Sequence, residues 1–201
     1  PNKALKRYFV EWAAEVFEWP GYGPAELYAV NKVLNEEDFP PLTVLHDLLL
    51  AMRLARHYKG QLVITRVGRS ALQELPELWA VLLAGLLFQT DHGEYMRHHY
   101  RFDGDWSMIL EIINVEAHGG ASGDRLCAAL LDASEAAIRR DHVVHSIIYM
   151  YVLRPLTWCG LLTEIPTGSK LSRENVYFKT PLWEAALTLP GDEQLPARAL
   201  H

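Results

Sequence analysis

The sequence predicts a mainly α-helical protein with two short β-hairpins, built as two tandem halves packed together. Three observations carry that reading. Apolar residues recur at helical spacing over most of the 201 residues. Two pairs of short apolar runs flank turn residues, at 53–65 and at 160–179. Finally, Leu62-Val63-Ile64-Thr65-Arg66-Val67-Gly68-Arg69-Ser70-Ala71-Leu72 returns in outline as Val176-Tyr177-Phe178-Lys179-Thr180-Pro181-Leu182-Trp183-Glu184-Ala185-Ala186-Leu187. Both stretches read as a strand turning directly into a helix, each after a long apolar helix and a turn, which is the signature of an internal repeat.

Residues 3–19 carry Leu5, Tyr8, Phe9, Trp12, Ala13, Val16 and Phe17 on one face, predicting an amphipathic helix that ends at Pro20-Gly21. A second helix starts at Pro24, a favoured first-turn residue, and runs to the acidic Glu36-Glu37-Asp38. After Pro40-Pro41, Thr43 is read as the N-cap of a helix to Met52 that is apolar nearly all round, and therefore buried. Strands over 53–57 and 61–65 flank Tyr58-Lys59-Gly60; a helix over 66–74 follows, and Pro76 opens another through Leu78, Trp79, Leu82, Leu83, Leu86 and Leu87.

The polar, glycine-containing stretch 91–106 is read as a connector between a half at 1–90 and a half at 107–201. Met108–Val115 is taken as helix, and Gly119-Gly120 breaks it. Ser122 caps the next helix and Asp141 the one after, whose apolar run Pro155 should kink. A second, longer hairpin pairs 160–165 with 175–179; Pro181 opens the last helix, and the tail beyond Pro190 is read as frayed. Leu48, Leu49, Ile147 and Ile148 are expected in the core, with Trp12, Trp19, Trp79 and Trp158. Trp106, Trp183, Tyr95 and Tyr100 are the expected interaction surface.

Half of the residues are apolar, enough for a core without staples. Cys127 and Cys159 fit no disulfide or zinc spacing and predict small core residues in a reducing, cytoplasmic compartment. The sequence contains no apolar run of spanning length, and its first residues do not read as a signal or transit peptide. The formal charge of −6 is uneven: residues 41–75 hold five basic against two acidic side chains, and residues 76–141 five against eleven. Only the first hairpin region is basic.

Arg53-Leu54-Ala55-Arg56 through Gln61-Leu62-Val63-Ile64-Thr65-Arg66-Val67-Gly68-Arg69 resembles the wing of winged-helix proteins, where a strand-ending Thr precedes a Gly-containing turn and a closing helix. The extension through Glu77-Leu78-Trp79 resembles helical C-terminal regions of uncharacterised bacterial plasmid-Orf-like proteins. The first match covers about residues 42–75 and the second extends it to about 87; the second half departs by placing Trp183 where the first has Gly68. The resemblance implies two winged-helix-like halves, and with them duplex DNA binding through Arg53, Arg56, Lys59, Arg66 and Arg69.

A base-reading helix must present polar and cationic side chains to the groove. The helix before the first hairpin has only His46 and Asp47 as polar interior positions, and residues 141–153 offer two histidines and no cation. His142 and His145, with Asp91 and His92 and the neighbouring His98 and His99, supply imidazoles and a carboxylate, but no fixed third ligand. No cofactor is therefore expected, and His142 and His145 are expected to be unliganded. Gly119-Gly120 and Ser122-Gly123 lack the Gly-x-Ser-x-Gly frame of a nucleophile elbow. The reading favoured by these residues is a non-enzymatic interaction or scaffold protein, with a protein partner or self-association. A winged-helix DNA-binding regulator is the first alternative, and a metal-assisted hydrolase the second.

Overall fold

A computed structural model describes residues 4–96, 102–169 and 172–195. It is mainly helical with two small antiparallel sheets. The chain divides into two compact units, Pro1–Thr90 and Asp91–His201. Among the described residues no helix is long and apolar enough to cross a membrane.

In the first unit, helix α1 (Arg7–Val16) buries Val10, Ala13 and Ala14 against Leu27 of α2 (Pro24–Val30) and against Leu34, Phe39 and Leu42. The wide apolar stripe predicted for α1 is thus only partly used. Tyr8, Trp12 and Val16 are 69%, 48% and 47% exposed, so Trp12 is not the core residue expected. Its ring lies at the solvent edge of an aromatic chain, 5.1 Å from Phe9 and 5.9 Å from Phe17.

Helix α3 (Pro40–Ala51) begins three residues before the expected cap. Pro40 and Pro41 fill its first turn, where no backbone N–H is needed, and Thr43 Oγ1 instead donates to the Glu36 carbonyl at 2.8 Å. Leu48 is buried as expected, whereas Leu49 is only half-buried. Strands β1 (Ala55–Tyr58) and β2 (Gln61–Ile64) pair in register around a two-residue turn. Its residues Lys59 and Gly60 have φ of 49° and 76°, the left-handed pair that a tight hairpin turn requires. Helices α4 (Arg66–Ala71) and α5 (Leu75–Phe88) complete the unit, with Pro76 in the first turn of α5.

The second unit holds α6 (Trp106–Glu116), a two-residue strand β3 (Ala121–Ser122), α7 (Gly123–Leu130), α8 (Glu135–Arg140) and α9 (His142–Ile148). A π-helical segment, Tyr149–Leu153, leads into α10 (Arg154–Trp158); strands β4 (Leu162–Ser169) and β5 (Ser172–Lys179) and helix α11 (Pro181–Ala186) follow. Strand β5 lies between β3 and β4, with Ala121 opposite Tyr177 and Leu162 opposite Lys179. Strand β3 was not predicted, since two residues show no alternation. Ser122 and Asp141 cap α7 and α9 as expected, by accepting from Arg125 N and from Val143 N and Val144 N. Pro155, expected to kink the helix, lies in the first turn of α10 directly after the π-helical segment. Its ring cannot sit in an ordinary α-turn over the preceding carbonyls, and the chain widens to π geometry just before it, with Arg154 N donating to Tyr149 O. Ile148 is buried and Ile147 half-buried.

The internal echo is realised atom by atom at the two hairpin corners. Thr65 N donates to Leu54 O at 2.9 Å, and Thr65 Oγ1 to Arg53 O at 2.7 Å. Thr180 N donates to Leu161 O at 3.0 Å, and Thr180 Oγ1 to Gly160 O at 2.6 Å. Arg53 and Gly160 both carry left-handed φ, 56° and 81°, so each helix leaves through the same turn into the first strand. Arg53 therefore precedes β1 instead of belonging to it.

A buried polar network ties the end of the second unit to α6. Lys179 Nζ donates to Asn114 O at 3.0 Å and to Asn114 Oδ1 at 2.8 Å, with His118 Nδ1 at 3.4 Å; Trp183 Nε1 donates to the same Oδ1 at 3.0 Å. Asn114 Nδ2 in turn donates to Asp192 Oδ1 at 2.8 Å. Trp183, expected at the surface, is 1% exposed for this reason. The stretch after Pro190, expected to fray, forms a 3-10 turn over Pro190–Gln194 held by Asp192.

Candidate functional site

The predicted basic positions meet on one small structure. Arg56 and Lys59 lie on the β1–β2 hairpin, and each cation sits 5.4 Å from the centroid of the Tyr58 ring, which is itself 51% exposed. Arg53 enters the hairpin from α3, and Arg66 and Arg69 lie on α4, which Thr65 starts by accepting from Gly68 N. All five side chains are exposed, and among the described residues none makes an ion pair. Close packing holds the group together: a Cβ at Gly68 would stand 2.1 Å from the Leu54 carbonyl oxygen, so only glycine lets α4 approach the strand.

Helix α3, directly before the hairpin, does not complete a groove-reading surface. His46 points inward, 5% exposed, with Nδ1 2.6 Å from Glu36 Oε1, and Glu36 Oε2 also accepts from Leu5 N at 2.5 Å. Asp47, an acid, is the polar side chain that α3 leaves exposed.

The second unit opens a different kind of site. A cleft of about 450 Å³ lies between the start of α7, the α8–α9 corner and β5. His142, His145 and Tyr149 line it from one side, Asp124 from the start of α7, Arg139 from the end of α8, and Tyr177 from the strand. Arg139 Nε donates to Asp124 Oδ2 at 2.7 Å, and its Nη2 lies 3.6 Å from Glu135 and 3.9 Å from Glu174. His145 Nε2 is 3.8 Å from Asp124 Oδ1, too long for a hydrogen bond. Behind the wall, Glu164 Oε1 accepts from Tyr177 Oη at 3.0 Å and from Asn175 Nδ2. Burial, and then the Glu164 charge, push the Tyr177 phenol well above its ordinary value.

Two of the four metal-candidate residues, His142 and His145, thus share the cleft. The other two do not complete a metal site with them. Asp91 caps a short 3-10 turn, His92–Tyr95, accepting from Gly93 N at 2.9 Å and from Tyr151 Oη at 3.3 Å. His92 is 2% exposed, its ring edge-on to Tyr151 at 6.2 Å. Among the described residues no three or more His, Cys, Asp or Glu side chains form a group that could hold a metal ion. His98, His99 and Tyr100 lie outside the described residues. Sequence reading missed Asp124, Arg139, Tyr149, Glu174 and Tyr177, which are scattered over 54 positions; only the i, i+3 histidine pair signalled the place.

Residues 1–77 match the family model of the Y4jL N-terminal domain, and residues 96–181 match that of the y4jL C-terminal domain. Together they support a two-domain y4jL family. A relative described as "Uncharacterized protein y4jL" from Sinorhizobium fredii (strain NBRC 101917 / NGR234) is 39% identical over 131 residues, covering 63% of this chain and 58% of that protein. The chain thus spans little more than half the length of this y4jL relative. No solved structure matches the chain. The basic hairpin falls within the Y4jL N-terminal match, and the cleft within the y4jL C-terminal match.

Proposed function

We propose that the protein is a non-enzymatic interaction protein whose first unit binds the phosphate backbone of duplex DNA. The observation that carries this reading is the hairpin and the helix after it: five exposed cations, Arg53, Arg56, Lys59, Arg66 and Arg69, none in an ion pair among the described residues, two of them arranged on the face of Tyr58. In an otherwise acidic chain, exposed cations gathered on a hairpin and the helix that follows it have an electrostatic use, and phosphates are the partner they fit. The order of elements in the second unit, α6, β3, α7, α8 to α10, then the β4–β5 hairpin with β5 central, supports the winged-helix-like reading of that half. Helix α3 exposes no cation, so binding by the first unit is independent of base sequence. Fluorescence anisotropy with a random-sequence duplex tests this. Affinity should fall with salt along a log–log slope no steeper than about −4.5, at roughly 0.9 per neutralised phosphate, and Arg56→Ala should reduce the slope by about one. Absence of binding at low salt removes the reading.

A protein partner is supported by a separate observation, the aligned exposure of Tyr8, Trp12 and Val16 on α1. A second copy of the chain is the occupant to test first. Sedimentation should show self-association that Trp12→Ser abolishes; a monomer at all concentrations removes that occupant.

A further inference from the structure

The face that α9 and the first residue of the π-helical segment turn toward the cleft reads His142, His145 and Tyr149, at i, i+3 and i+7. A helix face turned toward a sheet is ordinarily apolar and packed against it. Here it is polar, and a space of about 450 Å³, the size of a small-molecule site, lies between it and β5. Gly123 keeps the floor open. A Cβ there would stand 3.1 Å from His145 Nε2 and 3.4 Å from Tyr177 Cε2.

Charge selects the ligand. Among the described residues Arg139 is the one permanent cation lining the cleft, and it already faces three carboxylates, those of Asp124, Glu135 and Glu174. Glu164 adds a fourth negative charge behind Tyr177. An anionic ligand would meet this excess of carboxylates, whereas a cation would be attracted to it. The accessible walls are aromatic: the Tyr149 ring and two imidazoles suit an organic cation better than a hydrated metal ion. Arg139 and Glu174 have side chains 55% and 50% exposed, and their 3.9 Å separation leaves Glu174 able to accept a new donor.

We propose that this cleft binds a small organic cation bearing a primary ammonium or guanidinium group, held by Glu174 and Asp124 with its carbon skeleton against Tyr149. The site lies wholly in the second unit and does not rest on DNA binding by the hairpin. The test is calorimetric titration of the full chain with agmatine, beside succinate and adenosine monophosphate as anionic probes and an arginine-bearing peptide. Saturable one-to-one binding of agmatine is expected, with His145 ring resonances shifting in a parallel NMR titration. Glu174→Gln, at an exposed position that leaves folding intact, should weaken agmatine roughly tenfold by removing one charge-assisted contact. Gly123→Ala should weaken it further by filling the floor. No saturable binding to the wild type, tighter binding of either anion, or affinity unchanged in Glu174→Gln would each overturn the proposal. Far tighter binding of the peptide would overturn it in favour of a protein ligand.

Discussion

Thr65 and Thr180 close their hairpins with the same pair of hydrogen bonds, N–H to a leucine carbonyl and hydroxyl to the carbonyl of a left-handed residue one position earlier. They differ at the helix that follows: Thr65 Oγ1 also accepts from Gly68 N and so caps α4, whereas the Thr180 side chain makes no cap hydrogen bond. Replacing each by Val keeps the shape and removes the hydroxyl. Thr180→Val should cost about 1 kcal/mol, and Thr65→Val about 2 kcal/mol because the cap is lost as well. Chemical denaturation of both variants checks the order, and equal losses would show that the cap contributes nothing.

A helical glycine replaced by alanine ordinarily gains stability, by about 0.4–1 kcal/mol. Gly68→Ala should do the opposite. Its Cβ would meet the Leu54 carbonyl oxygen at 2.1 Å, a backbone atom that cannot turn away. A loss of about 1–3 kcal/mol or more is expected. Gly85 makes the control, since a Cβ there meets only the movable ends of Leu48 and Met52, at 3.0 Å. Gly85→Ala should cost clearly less in the same denaturation series.

Asn114 serves Lys179, Trp183 and Asp192 at once and is fully buried. Asn114→Ala leaves an ammonium and an indole N–H short of acceptors in the interior, and should cost about 3–5 kcal/mol. Lys179→Met removes the buried charge itself while keeping the length of the chain, so it should cost less than Asn114→Ala, although each variant deletes three of these hydrogen bonds. The reverse order in thermal melts would mean that the ammonium finds another partner in the Asn114 variant.

The Asp192 carboxyl is held below its ordinary value of 3.8, first by the Leu189 N–H and then by the Asn114 side chain. Ionised Asp192 is therefore favoured more in the folded chain than in the unfolded one. Its contribution is complete above pH 3.8 and fades as pH falls below that value through the lower folded pKa. Wild type should melt higher than Asp192→Asn near neutral pH, and the two should converge toward about pH 2. A gap that persists in acid would assign the effect to packing of the 3-10 turn instead of to charge.

Local signals in the sequence marked most of the helices and both hairpins. Ser122 and Asp141 are caps because the hydrogen bonds they make reach two or three residues along the chain, a span that reading one segment captures. The tryptophans went astray for the complementary reason. Trp183 lies on a six-residue helix too short to define a face, and its burial is decided by Asn114, 69 positions away. Trp12 sits on a clear apolar stripe, but that stripe is wider than the core α1 covers. The hairpin cations were legible because five of them fall within 17 residues. The cleft was not, since Asp124, His145 and Tyr177 come together only when β5 takes its place beside β3.

The π-helical segment ahead of Pro155 gives the helix running from His142 to Trp158 the geometry of a chain one residue too long for its span. Upstream of it the helix aims His142 and His145 at the cleft; downstream it sends Leu156 into the core. The two halves are phased separately, and the extra residue lets a functional face and a packing face coexist on one rod without compromise between them. Deleting one residue within 149–153 would restore a uniform pitch and swing the histidines by about 100°, the rotation of a single helical step, away from Asp124 while the core end stays anchored. The length of this helix, as much as its composition, decides which way its polar side chains face.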